Sequence, residues 1–229
     1  MEQKIKPYIS VIIPAFNEAD DILFTLNKII SYFKEKNHRF EIIVVDDGSN
    51  DKTSEVVKNL NLENVRVLKH ESNVGKGAAV KTGMMNARGG VRMFLDADYQ
   101  ITIDNLDRFL PHLGDYDIVI GSTPPKLKTL LERRSLLGVA AKLLISLVMG
   151  WSIKDSQRGI KIFTQKAAEY IFPKQTIEKW GFDIEDLAIA LEGGFRVKEI
   201  SVEYTKPKKS NVSTSSYLQT LWELLKIKR

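Results

Sequence analysis

The chain has 229 residues, 43% hydrophobic and 28% charged, with a net charge of +5, enough for one large domain or two small ones. It contains no cysteine, which excludes disulfides, thiolate metal sites and cysteine nucleophiles and fits a reducing compartment. Neither a signal peptide at the N-terminus nor a run of about 20 apolar residues able to span a bilayer is found in it.

In chain order, "YISVII" (Tyr8–Ile13) is β-branched and apolar, and Pro14 closes it as a strand. Residues 18–36 carry Ile22, Leu23, Leu26, Ile29, Ile30 and Phe33 at helical spacing. "FEIIVV" (Phe40–Val45) is a second strand, followed by the turn "DDGSNDKT", in which Asp51 is placed to cap the helix of "KTSEVVKNL". "VRVLKH" is a third strand, residues 74–88 suit a helix, "VRMFLD" is a fourth strand and "YDIVIG" (Tyr116–Gly121) a fifth. Strands apolar on both faces and joined by helices predict an α/β fold with a mostly parallel central sheet covered on both sides.

Ligands of such sheets bind beyond the carboxyl ends of the strands. That rule places Pro14–Glu18, Asp46–Ser49 and Asp96–Gln100 on one rim. Asp96 and Asp98, one residue apart at a strand end, repel each other unless they are solvated or share a cation. With Asp46 and Asp47 on a neighbouring strand they suggest a hard cation, Mg²⁺ or Mn²⁺, shared with a diphosphate, and Gln100 adds an amide oxygen. No G-x-x-x-x-G-K-[ST] sequence is present, and no G-x-G-x-x-G follows the first strand, which points away from P-loop and Rossmann dinucleotide sites. Gly75, Lys76 and Gly77 open a helix; they read either as a close approach to an anion or ribose hydroxyl, or as a tight turn with a solvated lysine.

Charge is unevenly distributed: residues 1–125 carry a net −3, 126–161 +6, 162–205 −3 and 206–229 +5. Within the basic blocks lie an apolar helix, Leu136–Trp151, and a tail, Tyr217–Arg229, with an apolar face, a Trp and a basic end. Both suit a helix at an anionic lipid surface, and the alternative for each is core or dimer packing. The basic blocks accompany aliphatic helices and not aromatic stacking platforms, so nucleic acid is not expected as a partner.

The segments "PAFNEAD", "EIIVVDDGSNDKT", "NVGKGAAVKTGMMNARG", "LDADYQ", "DSQRGIKIF" and "FDIEDLAIA", in this order, resemble family 2 glycosyltransferases of the GT-A fold. The subgroup they are most similar to is the dolichyl-phosphate β-glucosyltransferases, then the dolichol-phosphate mannose synthases, over about residues 8–213. The resemblance implies a GT-A domain at residues 1–213 followed by a basic amphipathic helix at 214–229. It implies a nucleotide-sugar pocket of Pro14, Ala15, Phe16, Glu18, Val44, Asp46, Lys76, Asp96, Ala97 and Asp98, with Asp46 on the base. Asp96, Asp98 and Gln100 would hold the metal, and Asp98, Arg134, Asp155 and Gln157 would be catalytic. Arg133, Arg158, Lys161, Lys208, Lys209 and Ser210 would face the acceptor or a phosphate. The chain departs from the family where Thr123 stands for an arginine, Arg158 for a small residue and Ile160 for a phenylalanine.

The implied reaction is metal-dependent, inverting transfer of a hexose to a polyprenyl or dolichyl phosphate at the cytoplasmic face of a membrane. UDP-glucose is the first expected donor and GDP-mannose the second. A lipid phosphate needs no protein base, whereas a sugar hydroxyl in surface polysaccharide synthesis would need one. Asp183, Glu185 and Asp186 are the candidate bases, or an acidic cluster favoured by a helix N-terminus. His38, His70 and His112 lie outside every motif and are expected at the surface.

Overall fold

The computed structural model describes residues 8–99, 101–122, 153, 159–202 and 223. Seven strands form one sheet: β1 (Ile9–Ala15), β2 (Phe40–Asp46), β3 (Val65–Lys69), β4 (Val91–Leu95), β5 (Ile118–Ser122), β6 (Ile160–Thr164) and β7 (Val197–Ser201), in the order β3-β2-β1-β4-β6-β5-β7. The helices are α1 (Ile22–Glu35), α2 (Thr53–Lys58), α3 (Lys76–Asn86), α4 (Leu106–Phe109), α5 (Gln165–Ile171) and α6 (Phe182–Glu192). Short 3₁₀ turns at Ile103–Asn105 and Leu110–Gly114 flank α4.

The five strands expected from the sequence all form, and β3, β2, β1 and β4 are mutually parallel. β6 and β7 are not among the strands expected from the sequence. Both are short and carry a lysine inside the run, Lys161 and Lys198, which breaks the apolar signal. β6 runs antiparallel to β4 and β5, and β5 pairs parallel with β7.

Alternation along each strand divides the core between the two sheet faces. Ile9, Val11 and Ile13 pack with Ile22, Leu26, Ile29 and Phe33 of α1 and with Leu106 and Phe109 of α4. Ile12, Ile43 and Val45 pack on the other face with Ala79, Val80 and Met84 of α3 and with Phe163, Ile171, Phe182 and Leu187. Each such side chain contributes roughly 1.5–3 kcal/mol on full burial, which makes the sheet a stiff platform for groups at its rim. The helix expected over 18–36 begins at Ile22; Asp51, expected to cap α2, stands one residue before its N-cap Lys52 and accepts the Thr53 N–H at 2.9 Å in the turn that leads into it. The domain boundary expected at 213/214, the helix at 136–151 and the tail at 217–229 fall largely or wholly outside the described residues.

Candidate active site

Because β1, β2 and β4 are adjacent and parallel, Ala15, Asp46 and Leu95 end at the same edge. The loop after β1 is tied to the loop after β2. Asn17, at φ 56°, donates its N–H to Ser49 Oγ (2.9 Å), Glu18 N–H donates to Thr53 Oγ1 (2.9 Å), and Asn50 N–H donates to Asn17 Oδ1 (3.0 Å). This presents Phe16, 40% exposed, and a half-buried Glu18 on the rim.

The expected pocket residues divide by exposure. Pro14, Ala15 and Ala97 are buried, and Ala97 C=O accepts the Thr25 hydroxyl at 2.5 Å, so they shape the rim from beneath. Two others are wholly buried. Val44 is wholly buried in the core on the α1 face and packs there instead of reaching a ligand. Asp46 is 0% exposed, and its carboxylate accepts the Ser49 N–H (2.7 Å) and the Ser54 hydroxyl, with Lys69 Nζ at 3.4 Å. Burial opposes its charge, but these hydrogen bonds and the ammonium hold Asp46 below the usual carboxylate range. These bonds brace the turn after β2, and each carboxylate oxygen can accept a further hydrogen bond.

The aspartates after β4 differ. Asp96 is partly exposed and Asp98 is exposed. The antiparallel pairing of β4 with β6 sets Gly159 beside Asp96, whose N–H donates to Gly159 C=O at 3.3 Å. A Cβ at Gly159 would overlap the Asp96 carboxylate, so a glycine is required where that carboxylate turns toward the rim. Lys76 Nζ lies 2.5 Å from Asp96 Oδ1 and 6.0 Å from the Trp180 ring centroid. Burial works against the Lys76 charge, but Asp96, Asp183 and Asp98 hold it above the ordinary lysine range. Burial and the nearby carboxylates, Asp98 first, push Glu18 up to about 7.

Among the described residues no three His, Asp or Glu side chains converge on one point as a closed metal cage. Asp96 and Asp98 are two hard oxygen donors at a strand end. They suit a cation that completes its shell with ligand oxygens and water, the usual manner of Mg²⁺ beside phosphates. Gln100, expected as a third donor, is outside the described residues.

The start of α3 carries an internal anion. Asp47 already accepts the Val74 N–H (3.0 Å) and the Gly75 N–H (2.8 Å), supplying the negative charge that a helix N-terminus attracts. Gly75, at φ 135°, and Gly77 are needed because the 177–178 backbone lies where their Cβ atoms would be. The close approach is therefore protein against protein, and what α3 offers the rim is the Lys76 side chain. His70 completes this clamp, with Nδ1 2.7 Å from Asp47 Oδ1 and Nε2 3.0 Å from Thr82 Oγ1. Its side chain is only 17% exposed, and His38 and His112 are half-buried, which corrects the expectation of surface histidines. No spacing rule links Asp47 to His70, since they stand at the ends of different strands.

The acidic start of α6 is buried. Asp183 accepts from Lys161 Nζ at 2.5 Å. Lys161, expected to face the acceptor or a phosphate, is 1% exposed and forms this internal pair instead. Glu185 accepts the Thr176 N–H (2.9 Å), the Thr176 hydroxyl (2.6 Å) and the Ile177 N–H (2.7 Å). Asp186 is 1% exposed and neither of its oxygens has a hydrogen-bond partner. Burial, then Asp183 and Glu185, push its carboxyl well above the usual range. Arg133, Arg134, Asp155, Gln157, Arg158, Lys208, Lys209 and Ser210 lie outside the described residues.

Comparison with known proteins agrees with this geometry. The family model described as glycosyl transferase family 2 matches residues 10–172. A dolichyl-phosphate β-glucosyltransferase of Trichomonas vaginalis is 33% identical over 96% of this chain and 70% of its own length. One from Dictyostelium discoideum is 32% identical over 96% of this chain and 74% of its own. Glucosyl-3-phosphoglycerate synthase of Mycobacterium tuberculosis, solved with Mn²⁺, UDP and glucosyl-3-phosphoglycerate, superposes with a TM-score of 0.70 at 19% identity, over 96% of this chain and 80% of that one. That likeness establishes the shared fold. With the family model spanning most of the sheet and relatives this similar along nearly the whole length, the chain belongs to glycosyl transferase family 2 and is a glycosyltransferase of the GT-A fold.

Proposed function

We propose that this chain transfers glucose from UDP-glucose to a dolichyl or related polyprenyl phosphate, with inversion at C1. The observation that carries the acceptor is the state of α6. Of the three carboxyl groups at its start, Asp183 is paired with Lys161, Glu185 is taken up by two N–H groups and a hydroxyl, and Asp186 is 1% exposed with its carboxyl pushed well above the usual range. None is poised to take a proton from a sugar hydroxyl. A lipid monophosphate supplies its own anionic oxygen near pH 7 and needs no base. That oxygen attacks C1, the bond from C1 to the diphosphate breaks, and UDP leaves with the electron pair. The relatives named as dolichyl-phosphate β-glucosyltransferases support the same acceptor and favour glucose.

Asp96 and Asp98, with Gln100, would hold Mg²⁺ or Mn²⁺, and Lys76 stands beside them. A cation bound there offsets charge that develops on the leaving diphosphate. Phe16 and Glu18 line the donor side of the rim. Arg133, Arg134, Arg158, Lys208, Lys209 and Ser210 are proposed on the acceptor phosphate, and Asp155 and Gln157 at the reacting centre, on sequence alone. Among the described residues no helix is long and apolar enough to cross a membrane. The apolar and basic composition of 136–151 and 217–229 supports peripheral attachment to an anionic bilayer, proposed at its cytoplasmic face.

The test is a donor panel, UDP-glucose against GDP-mannose, with Mn²⁺ or EDTA and with a short polyprenyl phosphate or a free sugar as acceptor. Glucosyl-phosphoryl-lipid formed from UDP-glucose only with the metal is expected. Transfer only to the free sugar would overturn the acceptor, and faster transfer from GDP-mannose would replace the donor. Sedimentation of the chain with anionic vesicles at low salt, and release at high salt, is the expected membrane result.

A further inference from the structure

Resting on the metal reading just proposed, we infer that Lys76 is the internal counter-ion of the strand-end carboxylates. Its ammonium holds Asp96 in the place a divalent cation needs and yields that place to a nucleotide diphosphate, so that cation and nucleotide enter together.

Three observations carry this. The ammonium lies 2.5 Å from Asp96 Oδ1, closer than the 3.4 Å at which Lys69 approaches Asp46. Its alternative partner, Asp183, is already engaged by Lys161 at 2.5 Å from β6, which leaves Asp96 as the main claim on Lys76. The backbone beneath Lys76 is fixed while the side chain keeps access to solvent. Gly75 N–H is held by Asp47, Ala78 N–H donates to Glu178 C=O at 2.9 Å, and the Lys76 side chain is 23% exposed. The ammonium can therefore move without moving α3.

The electrostatic consequence is specific. Asp96, Asp98 and Lys76 sum to a single negative charge, a poor site for a bare divalent ion. A diphosphate brings charge that competes for the ammonium. Once Lys76 turns to it, the Asp96 carboxylate is released to the cation. Two ligands that relieve the same obstacle strengthen each other's binding by the same factor.

The experiment titrates Mn²⁺ by electron paramagnetic resonance, and UDP by calorimetry, in the parent chain, Lys76→Met and Lys76→Arg. Lys76→Gln is read in parallel so that a packing defect in one uncharged variant leaves the other to decide. Without nucleotide, the uncharged variants are expected to bind Mn²⁺ roughly tenfold or more tightly than the parent, within the usual 5–150-fold range of coupling between sites. Their affinity for UDP without metal should fall severalfold, and Lys76→Arg should keep the weak Mn²⁺ binding. A general lesion would weaken both ligands, so the opposite signs identify the counter-ion role. Unchanged or weaker Mn²⁺ binding in the uncharged variants overturns the inference. If the parent binds no Mn²⁺ even with saturating UDP, the metal reading itself fails, and that result is separate.

Discussion

Asp96 and Asp98 after β4, and Asp183 and Asp186 on α6, are the same functional group at similarly close spacing, and both sets lie within reach of a lysine. They have opposite status. The first pair sits at the end of a stiff parallel strand and faces the rim. The second is buried beside Lys161, where one carboxyl is paired and the other is pushed well above the usual range. A carboxylate at this rim is available to a ligand because water can still compensate its charge. A buried one must take an internal partner or a proton.

Substitutions sharpen that contrast. The largest effect is expected from Asp98→Ala, which should reduce transfer roughly 10³-fold, the order seen when a group stabilising transition-state charge is removed. Its circular dichroism should be unchanged, because Asp98 is exposed. Normal turnover by a folded Asp98→Ala chain would remove the rim from the chemistry. Asp183→Asn acts on stability instead. It takes from Lys161, 1% exposed, the carboxylate 2.5 Å away, and breaking a buried pair of this kind costs about 3 kcal/mol or more in a denaturant titration.

Glu18, between the two extremes, gives a pH signature. Its folded pKa, about 7, lies above the ordinary 4.5. Between those values the folded chain keeps a proton that the unfolded chain has released, so stability falls as pH rises through that window. Glu18→Gln never ionises. It should match the parent at pH 4 and exceed it at pH 8 by about 1 kcal/mol, after allowance for solvent screening. A constant gap between the two across that range would rule out a raised Glu18 pKa.

The smallest effect belongs to Asp186→Asn. Burial favours the protonated carboxyl, of which the amide is a near isostere. Stability at pH 7 should stay within roughly 0.5 kcal/mol, the range of an uneventful substitution. Transfer to a lipid phosphate should be unchanged. A loss of roughly 10²–10⁴-fold, the worth of a general base, would return Asp186 to the chemistry and a hydroxyl acceptor with it.

Much of this molecule was legible in order along the chain. The apolar runs at Ile9–Ala15, Phe40–Asp46 and Val91–Leu95 gave their strands, and the parallel arrangement put their following loops on one rim. β6 was not legible because Lys161 interrupts it, and the reason a lysine is tolerated there is Asp183, 22 residues later. Asp46 and Asp47 looked like a second ligand pair. The serines and the histidine that occupy them come from a turn, a helix and the end of another strand.

By itself the sequence determined which groups stand at the rim, since strand direction and side-chain alternation follow from local pattern. Only the tertiary structure decided which of those groups remain open to a ligand. The charge state and hydrogen bonds of a carboxylate depend on what is packed within a few ångströms of it, and for Asp47, Asp96, Asp183 and Asp186 those neighbours arrive from other strands and helices.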